Sequence, residues 1–362
     1  MDPGLDSCWG IWSGSSCASA SHRTSEGARG YIEPLYIDCA VPLPERALIR
    51  RIRDQAAKGR GARFQGGIGI GDDCAVVPIP RGYEALVTTD FSLENVHFKR
   101  AWHPPDSVGH RCLTRGLSDI AAMGGEPLAA FLSLAVPRSL PQGWVDGFLR
   151  GLLRLAGTFK VSLAGGDTAE SPGGVLADIV VLGSVPKGKA VLRSGARPGD
   201  RLYVSGELGA SAATLDLLSG GKRLRPPDFP RHFHPIPRID VGRFLREKGL
   251  ASAMIDISDG LSSDLAHICE ESGVGAEIES AALPVGKIGK PARRVDLRFA
   301  LHGGEDYELL FTASPGKNVP SRIAGVSIRP IGLITRGRKI FLRDQKGARQ
   351  ELLPRGWEHF KK

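Results

Sequence analysis

Five short segments of this chain set carboxylates beside glycines or small hydroxyl residues: Gly71-Asp72-Asp73, Thr88-Thr89-Asp90, Gly165-Gly166-Asp167-Thr168, Asp256-Ile257-Ser258-Asp259-Gly260 and Gly303-Gly304-Glu305-Asp306. A sixth segment, Leu117-Ser118-Asp119-Ile120-Ala121-Ala122-Met123-Gly124, carries Asp119. Most of them follow or precede an apolar run that reads as a β-strand, so folding brings strand ends together and the carboxylates with them. Gathered carboxylates repel one another unless cations stand between them. Hard cations such as Mg²⁺ take oxygen ligands and leave positions open for phosphate oxygens. The pattern predicts a site that holds several metal ions and phosphate groups.

The 362 residues suffice for two domains, since single cores stop growing at about 250–300 residues. Hydrophobic residues at 41% and charged residues at 24% match globular proteins, so the bulk of the chain folds. A net charge of +9 favours anionic partners. The basic residues are scattered and not interleaved with aromatics, so no nucleic-acid partner is expected. The six cysteines form no C-x-x-C pair and no zinc spacing, which reads as reduced thiols in a cytoplasmic protein. No apolar stretch approaches the roughly 18 residues that span a bilayer, and the N-terminus lacks the basic and apolar regions of a signal peptide. No membrane partner is expected.

Residues 1–43 show neither a period of 2 nor one of 3.6 and read as a tail, either disordered or the product of an upstream start codon. A helix opens at Pro44-Glu45 and runs through Leu48, Ile49 and Ile52. Strands are predicted over 75–79 and 85–89, a helix from Asp106 to Met123, strands over 129–136, 161–164 and 178–185, and a helix from Gln142 to Phe159. Pro186-Lys187-Gly188-Lys189 is the predicted domain boundary, giving a domain over 44–186 and another over 187–362. In the second, strands are predicted over 201–205, 252–257 and 307–312, with helices over 210–218, 238–248 and 261–271 and a loop over 222–237. The pattern is mixed α/β in two halves, each with its own sheet.

Gly67-Ile68-Gly69-Ile70-Gly71 is not a dinucleotide fingerprint: its spacing is G-x-G-x-G and a strand, not a helix, follows it. No Walker loop exists either, so metal ions must neutralise any bound phosphates. Each acidic motif has an ordinary alternative. Asp72-Asp73 could be a turn, Gly165-Gly166-Asp167 another, and Ser258 or Asp259 could N-cap the helix from Leu261. His97 could be a surface residue and Arg193 a solvated charge or a phosphate clamp. Asp119 is harder to explain away. It falls in the last turn of its helix, where the negative end of the macrodipole disfavours a carboxylate by roughly 0.3–1 kcal/mol. Asp256, inside a strand, has no capping role.

Taken in order, these segments resemble the thiamine-monophosphate kinases, of the superfamily that includes aminoimidazole ribonucleotide synthetase and selenophosphate synthetase. The residues that carry the resemblance are Gly69–Ala75, Thr88-Thr89-Asp90 with His97-Phe98, Leu117–Gly124, Leu163–Thr168, Arg193–Ala196, Asp256–Leu261, Gly303–Leu309 and Gly356–Phe360. The resemblance implies a two-domain aminoimidazole ribonucleotide synthetase-like α/β (α+β) fold with an N-terminal mixed or antiparallel sheet domain and a C-terminal α/β domain, two subunits pairing through their N-terminal domains into a homodimer, and ATP-dependent phosphorylation of thiamine monophosphate. It implies that Asp73, Thr88, Thr89, Asp90, Asp119, Asp167, Asp256 and Asp259 hold several Mg²⁺ ions, with K⁺ as an optional further ion. It places ATP against Gly166, Asp167, Arg193 and Ser258, and thiamine monophosphate against His97, Glu305 and Trp357. A thiazolium cation suits Glu305, and a flat heterocycle suits the face of Trp357. Another superfamily activity is the alternative enzyme reading, but selenophosphate synthesis would want a lysine that Cys74 lacks beside it. A non-catalytic nucleotide-binding regulator would have lost ligands, and every acidic position is filled. One departure is Arg115-Gly116, where the family often has an asparagine; it is expected to alter packing more than chemistry.

Overall fold

Glycines that would weaken an isolated helix are what allow this one to pack. Gly109 and Gly116 lie inside α2 (Pro105–Ala122), and Gly151 lies inside α3 (Gln142–Phe159). A Cβ at Gly109 would fall 1.9 Å from the carbonyl oxygen of Phe148, and one at Gly151 would fall 1.8 Å from that of Asp106. The two helices therefore touch backbone to backbone, an approach only glycine permits. At Gly116 a Cβ would meet Val181 Cγ2 at 2.6 Å, so α2 also lies directly on the sheet beneath it.

The computed structural model describes residues 42–58, 69–70 and 74–360; the expectations for the tail and for Gly71-Asp72-Asp73 lie outside the described residues. α1 (Glu45–Lys58) precedes a four-stranded sheet of β1 (Tyr83–Leu93), β2 (Glu126–Val136), β3 (Ser162–Glu170) and β4 (Leu176–Pro186) in the order β1-β4-β2-β3. β4 runs antiparallel to β1 and β2, while β2 and β3 are parallel and joined through α3. One face of this mixed sheet is covered by α2 and α3. On the other, β1 leaves Val87 68% and Phe91 56% exposed.

The second half carries α4 (Ala210–Ser219), α5 (Pro230–Phe233), α6 (Ile239–Glu247), α7 (Leu261–Ser272) and α8 (Leu297–His302). Its main sheet runs in the order Arg349–Glu351, Ile340–Arg343, Gly275–Glu279, Val326–Thr335, Arg201–Ser205, Leu309–Ala313 and Ala253–Asp256. Each sheet has its own buried apolar cluster, one centred on α2 and α3, the other on α7 and the strands around Leu202 and Ile255.

The predicted strand over 75–79 is absent. Pro78 and Pro80 supply no N–H to a ladder, and Val76 makes only a single bridge. The strand predicted over 161–164 continues through Gly165-Gly166-Asp167 to Glu170, so these residues form a sheet edge and not a turn. A register shift at Ala130/Phe131 accommodates the extra residue, and a Cβ at Gly166 would sit 1.9 Å from the Leu132 carbonyl oxygen. The predicted loop over 222–237 contains a 3₁₀ turn and the single-turn α5.

That loop is fastened to α2 by histidines. His103 Nε2 lies 2.9 Å from His232 Nε2, whose Nδ1 lies 3.0 Å from Ser211 Oγ. His110 Nε2 donates to the Pro235 carbonyl at 2.7 Å. Burial holds all three imidazoles neutral, His103 and His110 down to about 4 and His232 well below its ordinary value. Below pH 6.5 these histidines take up protons in the unfolded chain that the folded chain refuses, so their contribution to stability is complete above that pH and falls toward pH 4, on the order of 1–3 kcal/mol per histidine. A His103→Gln/His232→Gln variant should lose less melting temperature, or gain more, than the native chain between pH 7 and 5, a difference that separates the imidazoles from the buried carboxylates of Asp90 and Asp256, whose raised pKa values act in the opposite sense. An unchanged slope in that variant would rule out these imidazoles as its source.

Candidate active site

α2 delivers the centre of the site. Its residues Arg111, Arg115 and Asp119 are spaced i, i+4, i+8 and so share one helix face. Thr88 Oγ1 of β1 donates to Asp119 Oδ2. Next to them, Asp90 stands close enough to Asp119 for the two carboxyl groups to interact, and its own Oδ2 is buried without a protein partner. Ser118 Oγ donates to Asp256 Oδ2 at 2.6 Å, which ties the C-terminal sheet to the same turn of α2. Thr88, Asp90, Asp119 and Asp256 thus meet from one helix and two sheets.

Their environment disfavours bare charge. Burial and then the Asp119 carboxylate push Asp90 up to about 7. The same two causes push Asp256, only 3% exposed, up to about 8. Burial also raises Asp119 and Asp259, against which Arg193 acts from outside. Among the described residues no three carboxylate, imidazole or thiol groups converge tightly enough to cage an ion. Mg²⁺ rarely asks for such a cage: one or two carboxylates plus substrate phosphates and waters suffice. The buried, unpartnered oxygen of Asp90 and the paired carboxylates fit that requirement.

Asp90 also lines a cavity of about 380 Å³ together with His97, Arg115, Ser258, Asp259, Glu305, Trp357 and His359. Three sequence-distant motifs lock together to form its floor. A Cβ at Gly304 would lie 2.4 Å from the Ser258 carbonyl oxygen, and one at Gly356 would lie 2.2 Å from that of Asp259. Glu305 N–H donates to the Ser258 carbonyl at 2.7 Å, and Trp357 N–H to that of Asp259 at 3.0 Å. Glu305 and Tyr307 both take left-handed backbone angles, φ 63° and 51°. Such conformations persist only where surrounding bonds enforce them. They turn Glu305 toward α2, while Asp306 points the other way and accepts from Gly209 N–H at the start of α4 at 2.6 Å. Neither Ser258 nor Asp259 caps α7; instead Asp264 Oδ2 accepts from Gly260 N–H at 3.0 Å and Asp259 N–H at 3.3 Å.

Glu305 is not a free carboxylate. Arg111 Nη2 donates to Oε2 and Arg115 Nη2 to Oε1, the latter at 2.5 Å. Burial alone would raise its pKa, but the two guanidiniums outweigh that and hold it down to about 2. His97 Nδ1 accepts from Leu93 N–H at 3.0 Å, leaving the ring proton on Nε2. Burial, reinforced by Arg115, lowers its pKa to about 4. Its ring meets His359 edge-on at 5.4 Å, and His359 in turn meets Trp357 at 5.7 Å.

Other predicted residues lie apart. Gly166 and Asp167 line a different cavity of about 900 Å³, with Arg46, Arg50 and Arg53 of α1. The Thr89 hydroxyl points to the opposite sheet face from Thr88 and donates to Asp178 Oδ1 at 2.7 Å. Sequence reading missed Arg111, Ser118, Asp264 and the His103–His232–Ser211 chain, and took the Arg115-Gly116 departure as a matter of packing. The i, i+4, i+8 spacing on α2 was the available signal for the arginines.

Comparison with known proteins matches two family descriptions: the N-terminal domain of AIR synthase related protein over residues 71–185 and its C-terminal domain over 197–320. The thiamine-monophosphate kinase of Escherichia coli K12 is 38% identical over 333 residues, covering 87% of this chain and 98% of that protein. A crystal structure of the thiamine-monophosphate kinase from Stenotrophomonas maltophilia is 32% identical with a TM-score of 0.70, covering 82% of this chain and 95% of that one. A structure described as AaThiL complexed with AMPPCP and TMP is 33% identical with a TM-score of 0.69, covering 78% and 89%. Matched along both halves, in sequence and in fold, the chain belongs to the thiamine-monophosphate kinase family of AIR-synthase-related proteins.

Proposed function

We propose that the chain transfers the γ-phosphoryl group of ATP to thiamine monophosphate, giving thiamine diphosphate and ADP. One observation carries this reading: the buried carboxylates of Asp90, Asp119 and Asp256 stand beside a cavity whose other walls are Glu305, His97 and Trp357. The relative complexed with an ATP analogue and TMP supports the choice of substrates. Asp90, Asp119 and Asp256, with Thr88, Asp259, Asp167 and, outside the described residues, Asp73, would hold Mg²⁺; bound there, the ions would cancel repulsion between donor and acceptor phosphates. Arg193, Ser258, Gly166 and Asp167 are assigned to ATP, and His97, Glu305 and Trp357 to the acceptor. K⁺ is retained as an optional ion. The exposed face of β1 at Val87 and Phe91 supports pairing of two subunits through their N-terminal sheets. No helix among the described residues is long and apolar enough to cross a membrane; the cytoplasm remains the proposed location.

The acceptor is a phosphate already ionised at neutral pH, so the chain needs no strong general base. A hydroxyl–imidazole pair does reach the cavity wall, Ser211 with His232. The second nitrogen of His232 faces the neutral His103 and not a carboxylate, and burial and Arg111 outweigh Glu305 in disfavouring the imidazolium that nucleophilic catalysis generates. Transfer is therefore direct and in line. With ATP and Mg²⁺, thiamine monophosphate should be converted to thiamine diphosphate, and no ADP–ATP exchange should occur without it. Absence of product would sink the substrate assignment; rapid exchange without the acceptor would instead reveal a phosphoenzyme.

Asp90→Asn and Asp119→Asn should each lower turnover by about a thousandfold with a melting temperature, measured without Mg²⁺, equal to or above that of the native chain. The amide keeps the shape and relieves repulsion between buried charges. Near-normal rates at saturating Mg²⁺, or a large loss of stability, would show these carboxylates to be structural.

A further inference from the structure

We propose that Arg115 grips the phosphate of the acceptor substrate, so that a guanidinium selects the anionic end of the molecule and the aromatic wall receives its rings. This rests on the reading of the 380 Å³ cavity as the acceptor site. Arg115 lines that cavity between Asp90 on one side and Glu305 on the other. The acceptor phosphate must stand there if it is to lie near the carboxylates while its organic part reaches His97 and Trp357.

The guanidinium has capacity to spare. Arginine carries five N–H donors in a planar fork that matches phosphate. Glu305 takes one bond from Arg115, and Arg115 Nε is buried with no partner, as is Arg111 Nη1 beside it. Two guanidiniums face one carboxylate, so the Arg111–Glu305–Arg115 cluster keeps one net positive charge. Glu305 is consequently a poor countercharge for a thiazolium and a good strut for the arginines. The other fixed cation of the cavity wall, Lys99, holds its ammonium 4.3 Å over the Trp102 ring. The position itself depends on Gly116. With no side chain there, α2 settles against Val181 and Thr88, and the residue before it sits level with the cavity. The departure at 115–116 thus bears on chemistry as well as packing.

The test is calorimetric binding of thiamine monophosphate and of unphosphorylated thiamine to the full chain with Mg²⁺, comparing native protein, Arg115→Gln, Glu305→Gln and the double variant. Arg115→Gln should weaken thiamine monophosphate by about thirtyfold, the range of a charged hydrogen bond, and change thiamine by less than about twofold. The loss should persist in the Glu305→Gln background. Arg115→Lys, which keeps the charge but not the fork, should recover part of the affinity. Equal losses for both ligands, or a loss that vanishes once Glu305 is neutral, would show that Arg115 only positions Glu305. Conversion of thiamine monophosphate by the native protein, followed in parallel, separates the two claims. Where it occurs but Arg115→Gln binds the phosphate normally, only this inference falls; where it does not occur, the acceptor assignment falls and this inference with it.

Discussion

The site depends on how closely α2 lies on the N-terminal sheet. Where Gly116 faces Val181 there is no room for a Cβ, and this closeness lets Thr88 of β1 reach Asp119 and lets Ser118 reach Asp256 of the other sheet. The glycine contacts at Phe148 and Asp106 hold α3 against the N-terminal half of the same helix. Close packing transmits displacement, because well-packed interiors have few voids to absorb it. A shift of α2 by a few tenths of an ångström would loosen both hydrogen bonds and move Arg111 and Arg115 off Glu305.

Charge is the second organising constraint. The region around Asp90, Asp119 and Asp256 has more buried carboxylate than its hydrogen bonds can satisfy, whereas the neighbouring cluster at Glu305 has more guanidinium than carboxylate. The two halves of the cavity are therefore of opposite character. The acidic half favours cations that bridge phosphates, and the basic half favours a phosphate directly. A reaction that joins two phosphate groups suits such a divided wall. Burial makes both halves strong, since charges in a protein interior are screened less than in bulk water.

Much of this was readable in the sequence, for physical reasons that can be named. Asp119 stood out because a carboxylate in the last turn of a helix opposes the macrodipole, and Asp256 because a strand interior offers a carboxylate no cap to make. The long helices 106–123 and 142–159 were found from periodicity to within a residue. Other features were hidden by what local sequence does not encode. The run 75–79 is β-branched, yet its prolines cannot sustain a ladder. Gly165-Gly166 reads as a turn, yet serves the close approach of β3 to β2. Thr89 could have been separated from Thr88 and Asp90 by the two-residue alternation of a strand, which puts it on the other face. The double clamp on Glu305 joins residues about 190 positions apart, and no local pattern reports such a distance.

The account stands on cations occupying the junction of α2 with the two sheets. A crystal structure of the full chain with Mg²⁺ and a non-hydrolysable ATP analogue tests this most directly. Mg²⁺ should stand about 2.0–2.1 Å from carboxylate oxygens of Asp90, Asp119 and Asp256, with nucleotide phosphate oxygens completing the coordination. Nucleotide bound elsewhere, with those three carboxylates still bonded only to Thr88, Ser118 and one another, would contradict it.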